Sequence, residues 1–135
     1  MSALDLIPGE LGVSGFWSED HGSRLLSAPA LEVRRMATVM TAHRARFVTI
    51  TALPGAEEGG VRMSYHWDLD GQLLTIATCT RDNHMASIFD LCEAADWIER
   101  EIHECYAVEF EGRPHEHLLL RPGQAPGLGL RGEDE

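Results

Sequence analysis

The chain has 135 residues, of which 44% are apolar, and this is enough for one globular domain with its own hydrophobic core. Its formal net charge of −11 disfavours binding to nucleic acid and to anionic lipid, because both are polyanionic. No apolar run reaches the roughly 20 residues of a membrane-spanning helix, and residues 1–10 lack a signal-peptide pattern, so we expect a cytoplasmic protein.

The N-terminal part is predicted to contain an irregular segment, a helix and a strand. Residues 1–28 are rich in Gly, Ser and Pro and show no clear period, so we interpret them as irregular. A strand over 47–53 is predicted because this segment is dense in β-branched and aromatic residues. Between them, a helix over about 29–45 is predicted from apolar residues at helical spacing: Val33, Met36, Ala37 and Met40.

A β-hairpin is predicted in the middle of the chain. Residues 61–67 alternate between apolar and polar side chains, as in a strand with one buried face. Asp70 and Gly71 tolerate the positive φ angles of a tight type I′ turn, so residues 72–79 form the return strand. The Pro and Gly residues of 54–60 predict a loop before this hairpin.

The C-terminal part is predicted to contain a longer helix over about 84–105, in one or two pieces, with Asp82 or Asn83 as its N-cap. Asp96 and Arg100 lie four residues apart on it, a pair worth roughly 0.3–0.5 kcal/mol if exposed. A strand is predicted over 107–111 and a short edge strand over 118–120. The Gly-rich, Pro-rich and acidic residues 121–135 predict a flexible tail or an arm that orders on a partner.

The predicted elements together define the fold class. They favour a two-layer α+β fold, in which helices pack on one face of a mainly antiparallel or mixed sheet. The expected organisation is an irregular N-terminal segment (1–28), an α+β domain (29–120) and a flexible acidic C-terminal tail (121–135).

The densest polar cluster contains His103, Glu104, His115, Glu116 and His117. A His-x-His pair near a carboxylate can bind zinc or another divalent metal, which defines one alternative: a stand-alone metal-binding protein or small enzyme that uses His103, His115 and His117. Because no third ligand has a fixed spacing to the His-x-His pair, an exposed polar loop is the simpler interpretation.

Other candidate catalytic groups also have simpler structural interpretations. We interpret Glu99, Glu101 and Glu104 as a solvated or interface face of the helix, because catalytic carboxylates need contrasting environments. Cys79 has Arg81 and His84 nearby in sequence, which could activate its thiol as a nucleophile. The sequence has no Cys-x-x-Cys pair, nucleophile elbow or phosphate-binding loop, so it predicts no iron–sulfur, hydrolase or nucleotide site.

The stretch from Ser87 to Pro114 carries the most specific pattern in the sequence. Segments 87–91, 94–101 and 104–112, followed by Pro114, resemble the signature of the 30 kDa subunit family of respiratory complex I, the NADH-quinone oxidoreductase. That family includes the related small subunit of energy-converting, membrane-bound nickel–iron hydrogenases. The matching positions, for which the resemblance implies a structural or interface role, are Trp97, Glu99, Arg100, Glu101, Tyr106, Phe110, Gly112 and Pro114.

The chain also departs from the family pattern. The family usually continues Gly-His-Pro-Asp-Leu, whereas this chain has Arg113 before its proline and His115 and Glu116 after it. Glu93 stands where the family often has proline, and the C-terminal extension is short and acidic. The compact length favours the hydrogenase-type version of the subunit.

The resemblance implies a non-catalytic structural subunit in the cytoplasmic arm of a hydrogenase or of a complex I-like NADH-quinone oxidoreductase. It implies no catalytic, cofactor-binding or metal-binding residues, and contact with the inner face of the membrane only through the complex. The implied partners are a hydrogenase-like, 49 kDa-type large subunit and a ferredoxin-like iron–sulfur subunit. Within the chain, we expect Arg100 to pin the helix to the following segment, and Tyr106 and Phe110 to fill the core.

Overall fold

Three helices and seven strands make up the part of the chain that a computed structural model describes, residues 2–54 and 60–113. In chain order they are α1 (Ala3–Glu10), β1 (Ser18–Asp20), β2 (Ser23–Ser27), α2 (Val33–Ala42), β3 (Arg46–Pro54), β4 (Val61–Leu69), β5 (Gln72–Cys79), β6 (His84–Ala86), α3 (Ala95–Tyr106) and β7 (Glu109–Glu111). Of these three helices, none combines the length and the apolarity that crossing a lipid bilayer requires.

The strands form two sheets. The larger sheet has the order β1-β2-β5-β4-β3, in which β2 runs parallel to β5 and the other neighbours are antiparallel. The smaller sheet consists of β6 and β7 in parallel, with Met85 in register with Phe110. Helices pack on a mixed sheet, so the predicted α+β class is confirmed.

The central hairpin follows the predicted alternation. Asp70 and Gly71 have φ angles of 51° and 85°, which satisfy the tight turn between β4 and β5. Tyr65 and Trp67 are fully buried, whereas Arg62 and the other polar residues of β4 lie on the opposite face of the sheet. The core between this sheet and α2 includes the fully buried Met36, Ala37 and Met40, which are the residues that predicted the helix.

The interpretation of residues 1–28 as irregular was wrong, because α1, β1 and β2 lie in that segment. Helix α1 begins with a capping box, in which Ser2 and Asp5 satisfy each other's backbone N–H groups. This signal was present in the sequence, but Pro8 and the short length of the helix concealed the apolar period. β2 is a five-residue strand that gains its stability from pairing with β5, 50 residues later, which no local pattern reveals.

The predicted helix over 84–105 begins only at Ala95, and the prediction was wrong for its first half. Asp82 and Asn83 have φ angles of 50° and 60° and form a turn into β6 instead of capping a helix. Met85 is buried against the core, so its apolar character suited a strand as well as a helix. The predicted strand at 118–120 and the tail at 121–135 lie outside the described residues.

Candidate functional site

A buried cluster of charged side chains among the described residues is centred on Glu99 of α3. Ala95, Glu99 and Ile102 recur at helical spacing and point inward, and Glu99 is 0% exposed. Its carboxylate accepts hydrogen bonds from the Ser87 hydroxyl (2.5 Å) and the Ile88 backbone N–H (2.8 Å). The interpretation of this carboxylate as part of a solvated face was therefore wrong.

Arg113 closes this cluster from the C-terminal side. Its side chain is only 6% exposed, and its Nη1 donates to the Glu99 carboxylate (3.1 Å) and to the Asp96 carbonyl (3.3 Å). Its Nη2 pairs with the Asp96 carboxylate, and the guanidinium lies 4.5 Å from the centre of the Phe89 ring. The arginine thus joins the residues after β7 to α3 through charge-assisted hydrogen bonds, and to the 87–89 segment through the Phe89 ring.

Arg34 of α2 contacts the same segment directly. Its guanidinium makes a two-pronged contact with the Asp90 carboxylate (2.8 and 2.9 Å) and donates to the Ser87 carbonyl (2.8 Å). The hydrogen bond from Arg34 lowers the pKa of Asp90. Residues 87–90, which have no regular secondary structure, are therefore held by Arg34 directly and by Arg113 through Phe89 and Glu99.

Burial raises the pKa of Glu99, although Ser87, Ile88 and Arg113 act against this shift by stabilising the carboxylate. Burial also raises the pKa of the Tyr65 phenol, and the charge of Glu99 adds to that effect. An unpaired charge at this buried position would cost free energy. The stability of the cluster therefore depends on the hydrogen bonds that surround the carboxylate.

We expect Glu99→Gln to flatten part of the pH dependence of stability. A carboxyl group with a raised pKa keeps its proton in the folded state at pH values where the unfolded chain has lost it. Its contribution to stability is therefore complete below the ordinary value of 4.5 and decreases as pH rises through the raised pKa. Urea titrations of the native chain and the variant at several pH values above 4.5 check this.

The matched control is Glu101→Gln, which removes an exposed carboxylate from the same helix. We expect this control to keep the native pH dependence. Superimposable curves for the native chain and Glu99→Gln would contradict the assignment of the shift to Glu99.

The residues of α3 that the sequence singled out fall on different sides of the helix. Trp97 is 57% exposed, and the Arg100 guanidinium lies 5.2 Å from the centre of its ring. Arg100 also pairs with Asp96 (3.6 Å), the predicted i,i+4 contact. Glu101 is exposed, as a solvated face requires, whereas Glu104 is fully buried. The interpretation of a solvated face was therefore wrong for Glu104.

The predicted positions after α3 are placed as follows. Phe110 is 2% exposed and Tyr106 packs against the core at its edge. Gly112 has a φ of 90°, a conformation that suits glycine. Pro114 lies outside the described residues. That Arg100 pins α3 to the following segment stays a prediction, while the contact of this kind that the structure shows is made by Arg113, at a position where the chain departs from the family pattern.

The histidine candidates are only partly covered by the structure, whereas the cysteine candidate, Cys79, is a partly buried free thiol. His103 lies 2.9 Å from the Val108 carbonyl through its Nδ1, while His115, Glu116 and His117 lie outside the described residues. Within residues 2–54 and 60–113, no three His, Cys, Asp or Glu side chains are grouped as a metal site. Burial raises the pKa of the Cys92 and Cys105 thiols, which makes both poor nucleophiles.

Comparison with known proteins finds similarity over most of the chain. The family model of the respiratory-chain NADH dehydrogenase 30 kDa subunit matches residues 26–134. The J subunit of an NAD(P)H-quinone oxidoreductase from Synechococcus sp. (strain CC9902) is 47% identical over 47 residues, which are 35% of this chain and 24% of that protein. The C-type subunit of the NADH-quinone oxidoreductase from Chloroherpeton thalassium is 30% identical over 95 residues, 65% of this chain and 40% of that protein. The chain thus spans less than half the length of both relatives.

Two solved structures share the fold. One is a chain of the membrane-bound sulfane sulfur reductase, an archaeal respiratory membrane complex, with a TM-score of 0.68 over 87% of this chain and 75% of that chain. The other is a trypsin-resistant fragment of Nqo5, residues 1–134, with a TM-score of 0.63 over 87% of this chain and all of the fragment. Both are 21% identical to this chain, so the likeness establishes the architecture.

Proposed function

Because the chain belongs to the family of the respiratory-chain NADH dehydrogenase 30 kDa subunit, we propose that it is a non-catalytic structural subunit of a membrane-associated electron-transfer complex. The family match over residues 26–134 is the observation that carries this proposal. The buried cluster of Glu99 and Arg113 supports it, since these charged groups are engaged in holding chain segments together. The chain would then contribute to the complex by binding and positioning its partner subunits.

The complex is either a complex I-like NADH-quinone oxidoreductase or an energy-converting nickel–iron hydrogenase. The names of the relatives favour the first. In both versions the proposed partners are a hydrogenase-like, 49 kDa-type large subunit and a ferredoxin-like iron–sulfur subunit. The proposed location is the cytoplasmic face of the membrane, reached through these partners.

Trp97 is the side chain that we propose as an interface anchor. It is 57% exposed and belongs to the motif that carries the resemblance, together with Arg100 and Glu101. Tryptophan and arginine are enriched among the residues that dominate binding energy at interfaces. The Arg100 guanidinium, 5.2 Å from the centre of the ring, restricts the orientation of the exposed indole, so less conformational entropy is lost when a partner binds it.

We expect Trp97→Ala to weaken the association of the chain with its complex by about 2 kcal/mol, or about 30-fold. The free energy of unfolding of the isolated chain should change by less than about 1 kcal/mol, because the side chain is largely exposed. Phe16→Ala is the matched control, since Phe16 is an aromatic residue that is 87% exposed on another part of the chain. Equal retention of both variants in the complex would contradict the role of Trp97.

The experiment that tests the proposed function is gentle affinity purification of the tagged chain from its native host, followed by mass spectrometry and metal analysis. A nickel-bearing large subunit together with ferredoxin-like and membrane subunits would establish the hydrogenase version. NADH-linked partners would establish the complex I version. A chain that purifies alone with bound metal would overturn the proposal in favour of the histidine cluster at His103, His115 and His117.

A further inference from the structure

A cleft of about 540 Å³ lies apart from the buried cluster of Glu99 and Arg113, since its lining includes neither residue. It opens between the start of α2, the end of β5 and the short strand β6. Its lining residues belong to the loop 29–33, to Cys79 and residues 81–86 around the turn into β6, and to Glu111 at the end of β7.

The floor of this cleft is apolar and borders a strand edge. Val33 and Met85 are buried, and Leu31 and Ala86 are partly buried. All three residues of β6 line the cleft. Among the described residues, β6 pairs with β7 along one edge, and on its other edge the backbone N–H and carbonyl of His84 are both bonded to Arg81. A docked segment can cover the apolar floor with its own side chains.

The rim of the cleft is acidic. Three carboxylates, those of Glu32, Asp82 and Glu111, line it against one guanidinium, that of Arg81. Asp82 and Glu111 are exposed, and Glu111 lies 3.6 Å from the His84 ring. Glu32 is already engaged as the N-cap of α2, where it accepts from two backbone N–H groups at 3.0 and 2.9 Å. The two remaining carboxylates favour a cationic side chain in the occupant.

We propose that this cleft docks a segment of a partner subunit that carries arginine or lysine, which faces the acidic rim. The proposal rests on the proposed function, since the occupant is a subunit of the same complex. A second copy of this chain suits the cleft poorly, because each copy carries a net charge of −11.

The first test removes the two exposed rim charges in the double variant D82N/E111Q, which keeps side-chain size and leaves the cap at Glu32 intact. Retention in the native complex should fall roughly three- to tenfold at low salt, and the difference from the native chain should disappear at high salt. The matched control is E19Q/D20N, which removes the same two charges from the exposed strand β1. Equal retention of both double variants would overturn the proposal.

The second test identifies the occupant by photo-cross-linking. The probe is p-benzoylphenylalanine in place of Ala30, an exposed residue of the cleft, with Thr38 on the exposed side of α2 as the control position. A cross-link from position 30 to a partner segment with Arg or Lys supports the proposal. A cross-link to residues 114–135 of the same chain, or to a partner segment without a basic residue, overturns it. If the native chain purifies with no partner subunits, the proposed function itself fails.

Discussion

Replacing Arg113 by methionine is expected to lower the free energy of unfolding by about 3–5 kcal/mol. The methionine keeps most of the apolar volume but removes the guanidinium that faces Glu99, whose side chain is 0% exposed. Glu99 would then keep only its bonds from Ser87 and Ile88 to offset the cost of its burial. Because a protonated carboxyl group tolerates burial better, the loss of stability should diminish as pH is lowered.

Urea denaturation of the single and double variants measures this effect. The double variant R113M/E99Q should recover most of the loss, since a neutral amide can still accept from the Ile88 N–H and position 99 no longer carries a buried charge. Arg46→Met is the control, because the pair that Arg46 forms with Asp68 lies at the surface, where such pairs contribute about 0–1 kcal/mol. A loss below about 1 kcal/mol for Arg113→Met would show that the cluster does not depend on this arginine.

Replacing Phe110 by alanine is expected to cost about 3–5 kcal/mol. The side chain is 2% exposed in the middle of β7, in register with Met85 of β6, so its removal leaves a cavity beneath α3. Arg113 lies only two residues after the end of β7, so a loosened β7 would also disturb the contact of Arg113 with Glu99. We therefore expect the effects of Phe110→Ala and Arg113→Met to be less than additive.

Phe16→Ala is the matched control for this prediction. The same side chain is deleted there from a position that is 87% exposed, and the free energy of unfolding should stay within about 0.5 kcal/mol of the native value. Thermal and urea denaturation of both variants give the comparison. Equal losses at the two positions would mean that the burial of Phe110 contributes little to the stability of the domain.

The larger sheet and α2 were predictable because their signals are local. The alternation in β4 and the Asp70–Gly71 turn determine which residues of the hairpin face the core, and both depend only on neighbours in sequence. The spacing of Met36 and Met40 likewise identifies the inner face of α2. The alternation also required a second layer over the hairpin, so the α+β class followed from the same residues.

The buried cluster was not predictable, because it depends on residues brought together from distant parts of the chain. Ser87 lies 12 residues before Glu99 and Arg113 lies 14 residues after it, with no fixed spacing that signals their contact. One local signal did exist. Glu99 lies four residues after Ala95 and three before Ile102, so it occupies the apolar stripe of α3. A charged residue on an apolar stripe indicates a buried partner of opposite charge.

The position of β2 determines how far the chain can be shortened. A truncated protein beginning at residue 29 would lack both β1 and β2, and β5 would become the outermost strand of the sheet. The backbone groups of residues 74–77 that now pair with β2 would then be open to pairing between molecules. Such a fragment is expected to self-associate into insoluble material, so recombinant production of the domain requires that residues 18–27 be retained.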